Sequence, residues 1–289
     1  MLHRATARRR PPTPEVRVSE EFVGQSGTAP TVIDTSTAHI ARVYDYFLGG
    51  KDNFPADREA AARILKGNPG MRDTCREQRE FLRRAVRFLT RAGIRQFIDI
   101  GTGLPTQENT HEVAQAIAPD ARVAYIDNDP IVLAHARVLM ADRDHGRTVF
   151  IHADARDPRA LLAEPALRGV IDFGQPVAVL LIGILHFMED RDRPGDLIRA
   201  MLEAVPSGSY LAASHGTPDF APRMGDAVQA AYQASSMPCR VRTAAEVGEL
   251  LAGVELVEPG LVLLAEWRPD GPVPDDRQQI TYAAVGRKP

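Results

Sequence analysis

Gln96-Phe-Ile-Asp-Ile-Gly-Thr-Gly-Leu-Pro105 is the stretch on which the reading of the chain turns. Phe97, Ile98 and Ile100 make a short apolar run that stops at glycine, the pattern of a buried strand ending in a tight turn. Gly101 and Gly103 can take backbone angles that a Cβ resists, and their bare Cα atoms let a ligand lie against the main chain. Glu108 to Ala118 has helical character. The order strand, glycine turn, helix places a nucleotide-like ligand over the carboxyl end of a first parallel strand. A Gly-x-Gly turn alone serves equally well as a plain turn, so the assignment depends on the flanking sequence.

Downstream, the pattern repeats. Arg122 to Ile126 predicts a second strand ending at Asp127-Asn128-Asp129-Pro130, and Pro130 suits the first turn of a helix carried by Ile131, Leu133, Ala134 and Val138. Thr148 to Ile151 predicts a third strand, ending at His152-Ala153-Asp154, with a helix from about Asp157-Pro158. Pro176 to Ile182 is an apolar fourth strand followed by a loop from Gly183 to Asp190. A helix over Arg193 to Val205 leads to a fifth strand, Ser209 to Ala213, ending at Ser214-His215-Gly216. Pro218 to Ser236 is a helix interrupted near Pro222. Thr243 caps another over Ala244 to Leu251, with Glu246 at the capping-box position. Val254 to Val257 and Gly260 to Leu264 are strand material. Gln279 to Val285 is a last strand whose connection has little room for a crossover helix, so it runs antiparallel to its neighbour. The fold class is α/β: a doubly wound sheet, parallel except for its final strand.

Upstream, residues 1–35 are rich in Arg, Pro, Thr, Ser and Gly and predict a disordered basic tail. Residues 36–92 form a helical cap and lid, and residues 93–289 the sheet domain. Thr37 is placed to cap a helix in which Ile40, Val43, Tyr44 and Phe47 share a face. Leu48 to Pro55 breaks it, either as a Schellman-type stop or as a loop that closely approaches a ligand. Asp57 to Leu65 is a second helix. Arg72 to Ala92 is a long amphipathic one, with Phe81, Leu82, Ala85, Phe88 and Leu89 inward and Arg79, Arg83, Arg84 and Arg87 largely in water.

A hydrophobic fraction of 44% over 289 residues supports a sizeable core, and a formal charge of −3 gives no argument for nucleic acid or an anionic membrane. Arginine greatly outnumbers lysine, a bias expected of a GC-rich genome. The two cysteines, Cys75 and Cys239, lie far apart without metal spacing, which points to a reducing cytoplasm. No apolar run approaches the ~20 residues of a membrane span. His135, His145 and His152 lack partners at zinc spacing, so no metal is expected. No Gly-x-Ser-x-Gly elbow is present.

Three acids stand at informative places. Asp99 precedes the glycine turn, Asp127 ends the second strand at the distance ribose recognition wants, and Asp154 follows the third. In a parallel sheet these ends share one rim. A carboxylate at Asp127 can accept from vicinal ribose hydroxyls, and one at Asp154 from an exocyclic amine.

Together with Ile182-Gly-Ile-Leu-His-Phe187, these residues resemble the class I S-adenosylmethionine-dependent methyltransferases. More narrowly, Thr37-Ala-His-Ile-Ala-Arg-Val-Tyr-Asp-Tyr-Phe-Leu-Gly-Gly-Lys-Asp-Asn-Phe54 and Asp99-Ile-Gly-Thr-Gly-Leu-Pro-Thr106 resemble a bacterial methyltransferase family long catalogued as a domain of unknown function, DUF574. The resemblance implies a Rossmann-like sheet of seven strands with the seventh antiparallel. It implies S-adenosylmethionine as cofactor, with its methionine and ribose near Gly101, Thr102 and Gly103, ribose hydroxyls at Asp127, and adenine beside Asn128 and Asp154. Pro105 stands where that superfamily often has a third glycine, removing an amide donor. A nicotinamide dinucleotide would need Gly-x-Gly-x-x-Gly, and its third position is Thr106.

Arg79 is a candidate for the cofactor's carboxylate. His186 and His215, after strands four and five, and Tyr44 on the cap are candidates for a general base. The function expected is methyl transfer to a small-molecule acceptor. The competing readings are a non-catalytic module that binds the same nucleotide for regulation and a nicotinamide reductase.

Overall fold

The computed structural model describes residues 34–105, 108–132, 134, 147–273 and 280–289. The tail expected over residues 1–35 lies almost wholly outside them, as do Leu133 and Val138 of the helix expected after Pro130. Residues Ile33–Pro289 form one compact unit.

The expected strands are β1 (Gln96–Ile100), β2 (Arg122–Asp127), β3 (Thr148–His152), β4 (Ala178–Leu181) and β5 (Tyr210–Gly216), and they pair in parallel. The strand material after residue 253 becomes two short strands, β6 (Glu255–Leu256) and β7 (Val262–Leu263). Both pair antiparallel with β8 (Thr281–Arg287), which itself runs antiparallel to β5. The order is β3-β2-β1-β4-β5-β8-β6, with β7 also against β8. Among the described residues eight strands therefore stand where seven were implied, and of these β8 runs reversed, as expected. The crevice of such a sheet opens where the order changes direction, between β1 and β4.

Alternation along the strands divides the core in two. Ile98, Ile100, Ala124, Ile126, Val179 and Leu181 face one side, packed by α5 (Pro158–Ala163), α6 (Pro165–Val170), α7 (Pro194–Ala204) and α9 (Ala244–Leu250). Phe97, Val123, Tyr125, Ala178 and Leu180 face the other, covered by α3 (Met71–Arg91) and α4 (Thr110–Gln115). Trp267, fully buried, meets Phe81 and Phe88 of α3 edge-on at 5.4 and 5.8 Å.

A third cluster forms the roof. Val43 and Phe47 of α1 (Ile40–Leu48), Ala60, Ala61 and Ile64 of α2 (Pro55–Gly67) and Met71 and Cys75 of α3 pack with Val228 and Tyr232 of α8 (Pro222–Gln233). The roof is thus discontinuous in sequence: a late helix completes it, and α3 runs from it down onto the sheet. Pro222 starts α8 at its first turn rather than interrupting a longer helix. Thr243 caps α9 as expected, with the Glu246 carboxylate accepting from Thr243 N at 2.8 Å.

Several local expectations are corrected. His39, not Thr37, is the N-cap of α1. The break after α1 is the Schellman-type stop: Gly49 sits at φ 84°, and Gly50 N donates to Asp45 O at 2.9 Å. The loop then folds onto the buried Asp45 carboxylate, which accepts from Asp52 N and Asn53 Nδ2 at 3.0 and 2.8 Å. A Cβ on Gly50 would collide with that carboxylate. β5 continues through Gly216, so His215 lies inside a strand. Arg84 is not in water: it is buried, donating from Nε to Trp267 O at 2.9 Å and from Nη2 to Leu264 O at 2.7 Å.

Arg84→Ala should therefore destabilise the fold by about 3 kcal/mol, since it strands two buried carbonyls. Urea unfolding checks this; a loss under about 0.5 kcal/mol, as at a solvated site, would restore the original reading.

Candidate active site

Among the described residues, a cavity of about 260 Å³ lies over the carboxyl ends of β1 to β4, beneath α1 and beside α3. Asp99, Gly101, Thr102, Gly103, Asp127, Asn128, Asp154, Arg79 and Tyr44 all line it; His186 and His215 do not.

The turn after β1 is anchored to the end of β2. Gly101 N donates to Ile126 O at 2.8 Å, and Gly101 and Gly103 lie at φ 75° and 66°. Their needs differ. A Cβ on Gly101 would come within 2.5 Å of Ile184, so that glycine is required by packing of the loop after β4. A Cβ on Gly103 would meet nothing within 4 Å, so that face is open to the cavity. Asp99 is buried behind the turn and accepts from Thr110 Oγ1 at 2.6 Å. Burial pushes its carboxyl up to about 6, against the opposing pull of Thr110 and Arg79.

Asp127 ties this turn to the next strand end. Its Oδ2 accepts from Gly103 N at 2.8 Å and its Oδ1 from Asp129 N at 2.9 Å. Burial raises its pKa, with those two amides opposing. Asp154 accepts from Arg156 Nε at 2.9 Å and Nη2 at 2.6 Å, and this pairing holds its carboxyl below the usual range. Asn128 is exposed at the rim. Arg79 Nη2 donates to Glu108 O at 3.2 Å, on the β1 side of the cavity.

Sequence reasoning missed how the roof is fastened. His39 Nδ1 lies 3.0 Å from Asp129 Oδ2. Arg42 Nε stands 3.6 Å from both that oxygen and Asp57 Oδ1. Asp57, fully buried, accepts from His39 N at 2.9 Å and Phe54 N at 2.8 Å. Burial alone would raise the Asp129 pKa, but His39 and Arg42 hold it below the usual range. Gln78 was missed too. It lines the cavity while only 6% exposed, and its signal was a polar residue in the apolar stripe of α3 between Cys75 and Leu82. Ser236, Met237 and Pro238, after α8, also reach the cavity and carried no signal.

The base candidates fare differently from expectation. Tyr44 lines the cavity, but its hydroxyl donates to Cys75 O at 3.0 Å and burial raises its pKa. His215 is buried in β5, with Nδ1 donating to Gly216 O at 2.8 Å and Nε2 accepting from Arg242 Nη1 at 3.0 Å. Its ring stands 6.0 Å from that of His186. Burial pushes His186 down to about 3 and His215 to about 4, with Arg242 adding to both. Both imidazoles are therefore held neutral, and neither is among the residues that line the cavity.

A family model described as S-adenosyl methyltransferase matches residues 26–289. The crystal structure of a DUF574 family protein from Streptomyces avermitilis is 47% identical and superposes with a TM-score of 0.86, covering 89% of this chain and all of that one. That of a methyltransferase candidate from Thermobifida fusca is 43% identical with a TM-score of 0.84, covering 88% of this chain and 96% of that one. A search of curated proteins finds no match.

The histidine pair gives stability a pH dependence. Each is neutral when folded and ionises near 6.5 when unfolded, so acidification from 7 to 5 protonates the unfolded chain first and destabilises the fold. Asp99 and Asp127 act in the opposite sense, because burial raises both folded pKa values. Two histidines at roughly 2 kcal/mol each are expected to outweigh the two carboxyls. The melting temperature should fall between pH 7 and 5, and His186→Phe should flatten that fall. A higher melting temperature at pH 5 would refute the balance.

Proposed function

The chain belongs to the S-adenosyl methyltransferase family and uses S-adenosylmethionine, and from that premise we propose that the rim cavity holds this cofactor and passes its methyl group to a small-molecule acceptor. One observation carries the assignment. Three carboxylates, Asp99, Asp127 and Asp154, line a single cavity from three successive strand ends, beside a glycine with an open Cα face.

The residues fit the group. Asp127 is half-buried, and each oxygen has spent only one lone pair on a backbone amide, so each can still accept from a ribose hydroxyl. Gly103 lets the nucleoside approach the main chain. Asp154, held by Arg156, and Asn128 suit the adenine edge. Asp99 suits the methionine ammonium, and Arg79, on the same side, its carboxylate. Pro105 lies beyond these contacts: the amides of Gly101 and Gly103 are already bonded to Ile126 and Asp127 of β2, so no donor is lost from them.

The cofactor supplies a methyl carbon activated by sulfonium. The chain's own work is to orient the acceptor in line with that carbon and exclude water. The acceptor's lone pair forms the new bond to carbon as the carbon–sulfur bond breaks, and the bonding electrons remain on sulfur as a neutral thioether. No described side chain on the acceptor side is placed to take a proton, so any proton the acceptor loses goes to solvent.

Asp127→Ala should weaken S-adenosylhomocysteine binding by about 1–3 kcal/mol in calorimetry, roughly 5- to 150-fold. Unchanged affinity would remove Asp127 from the site. A second outcome follows from the raised Asp99 pKa. Near pH 6 its carboxyl is about half protonated, and an approaching ammonium should expel that proton. The binding enthalpy should vary with buffer ionisation at pH 6, much less so at pH 8, and less in Asp99→Asn. A wild-type enthalpy independent of buffer at pH 6 contradicts the ammonium contact.

A further inference from the structure

The cavity is chemically divided, and the strand order makes the division. Over β1, β2 and β3 it carries Asp99, Asp127, Asp154, Arg79 and Arg156. Beyond β1 the next strand is β4, and there the described lining changes character. Tyr44, Phe187, Met188, Met237 and Pro238 form its walls, without a charged side chain among them. If the cofactor occupies the charged half, the acceptor must occupy the other.

At the seam stands Gln78. It is 6% exposed and lines the cavity, and its amide is not among the fully enclosed polar atoms that lack a partner, so it stays accessible from the cavity. It presses against the bare face of Gly183, where a Cβ would fall 2.3 Å from Oε1. The neighbouring Ile184 in turn packs on Gly101, so Gln78 sits where the loop after β4 meets the glycine turn. An amide that faces a cavity in this way is available to whatever polar group occupies it.

Resting on the cofactor assignment above, we infer that the acceptor is an uncharged aromatic molecule whose polar group is held by Gln78. An ion in this half would be desolvated against aromatic and thioether walls, and Arg79, whose charge reaches Tyr44, is already engaged by the cofactor's carboxylate under the assignment above. A flat apolar ring suits Phe187, Tyr44 and the two methionines, which offer ring edges, faces and polarizable sulfur. The Gln78 amide can both donate and accept, so it reads a hydroxyl or a neutral amine and fixes its orientation. Gln78 is a specificity-determining residue for the transfer.

The test uses full-length protein saturated with S-adenosylhomocysteine and three isosteric probes followed by ligand-observed NMR: 2-naphthol, 2-naphthoate and 2-naphthylmethylammonium. At pH 7.5, 2-naphthol should bind at least about tenfold more tightly than either ion. Gln78→Leu should weaken 2-naphthol about fivefold while leaving S-adenosylhomocysteine affinity within about twofold. Gln78→Glu, of the same shape, should turn the preference toward the ammonium probe. Equal or tighter binding of a charged probe by the wild type, no binding of 2-naphthol, or an unchanged preference in both variants overturns the inference. Loss of S-adenosylhomocysteine affinity in Gln78→Leu overturns it also, reassigning the residue to the cofactor. If the wild type fails to bind S-adenosylhomocysteine at all, the cofactor assignment falls, and this inference with it.

Discussion

The cavity has a roof because a buried ion cluster holds one in place. Asp57, Arg42 and Asp129 are 0%, 4% and 3% exposed, and removing such charges from water costs several kcal/mol each before any attraction is counted. Much of that cost is offset by hydrogen bonds, although Arg42 Nε and Asp129 Oδ2, 3.6 Å apart, have none of their own. Asp57 takes the amides of His39 and Phe54, Asp129 takes that of Ile131 at 3.0 Å, and Arg42 donates to the carbonyls of Asp34 and Thr37 at 3.1 and 2.9 Å. His39 Nδ1 then supplies Asp129 with its close partner. The chain of contacts does not stop there, since Asp129 N bonds to Asp127, and Asp127 bonds to Gly103. Roof, second strand end and glycine turn are therefore joined by one continuous polar path, and the cavity is what that path encloses.

The sheet supplies the other half of the design. Register pairs Asp99 with Tyr125 and Asp127 with His152, so each acid stands two residues farther along than the last, and all three line the same cavity. Placing β4 rather than β3 beside the free edge of β1 puts the apolar loop after β4 next to the glycine turn. A polar half and an uncharged half then follow from strand order alone. No residue has to separate them.

This explains which parts were legible from sequence. The first strand and its turn, the capping box at Thr243 and Glu246, and the reversed last strand each depend on neighbours in the chain, and pattern reading found them. The acids at Asp99, Asp127 and Asp154 were found because parallel strands repeat one geometry. What escaped depends on distant partners. Arg84 looks like a wet-face arginine until Leu264 and Trp267 arrive from nearly two hundred residues away. His39 caps α1 instead of Thr37 because Asp57 and Asp129 fix its backbone and ring. His215 was expected in a loop because Ser214-His215-Gly216 has turn composition, yet pairing with β8 from Thr281 to Ala283 keeps the segment extended. Local propensity yields to such pairing whenever the partner strand is long enough.

His186 and His215 also have a structural part in the wall of the cavity. Arg242 is buried, and it gathers His215 Nε2, Met188 O at 3.2 Å and the Asp190 carboxylate at 2.6 Å. Arg240 N donates to His186 O at 2.8 Å. The loop after β4, which carries Phe187 and Met188 into the cavity wall, is thus clamped from behind by the segment leading to α9. A neutral His215 is the form this clamp needs, because only an unprotonated Nε2 can accept from a guanidinium. Protonation would set two cations face to face in a buried site. Burial first, and Arg242 beside them, depress both histidine pKa values, so the neutral form that holds the loop after β4 in place is the form the fold itself enforces, and Phe187 and Met188 are fixed in the cavity wall by groups that never enter the cavity.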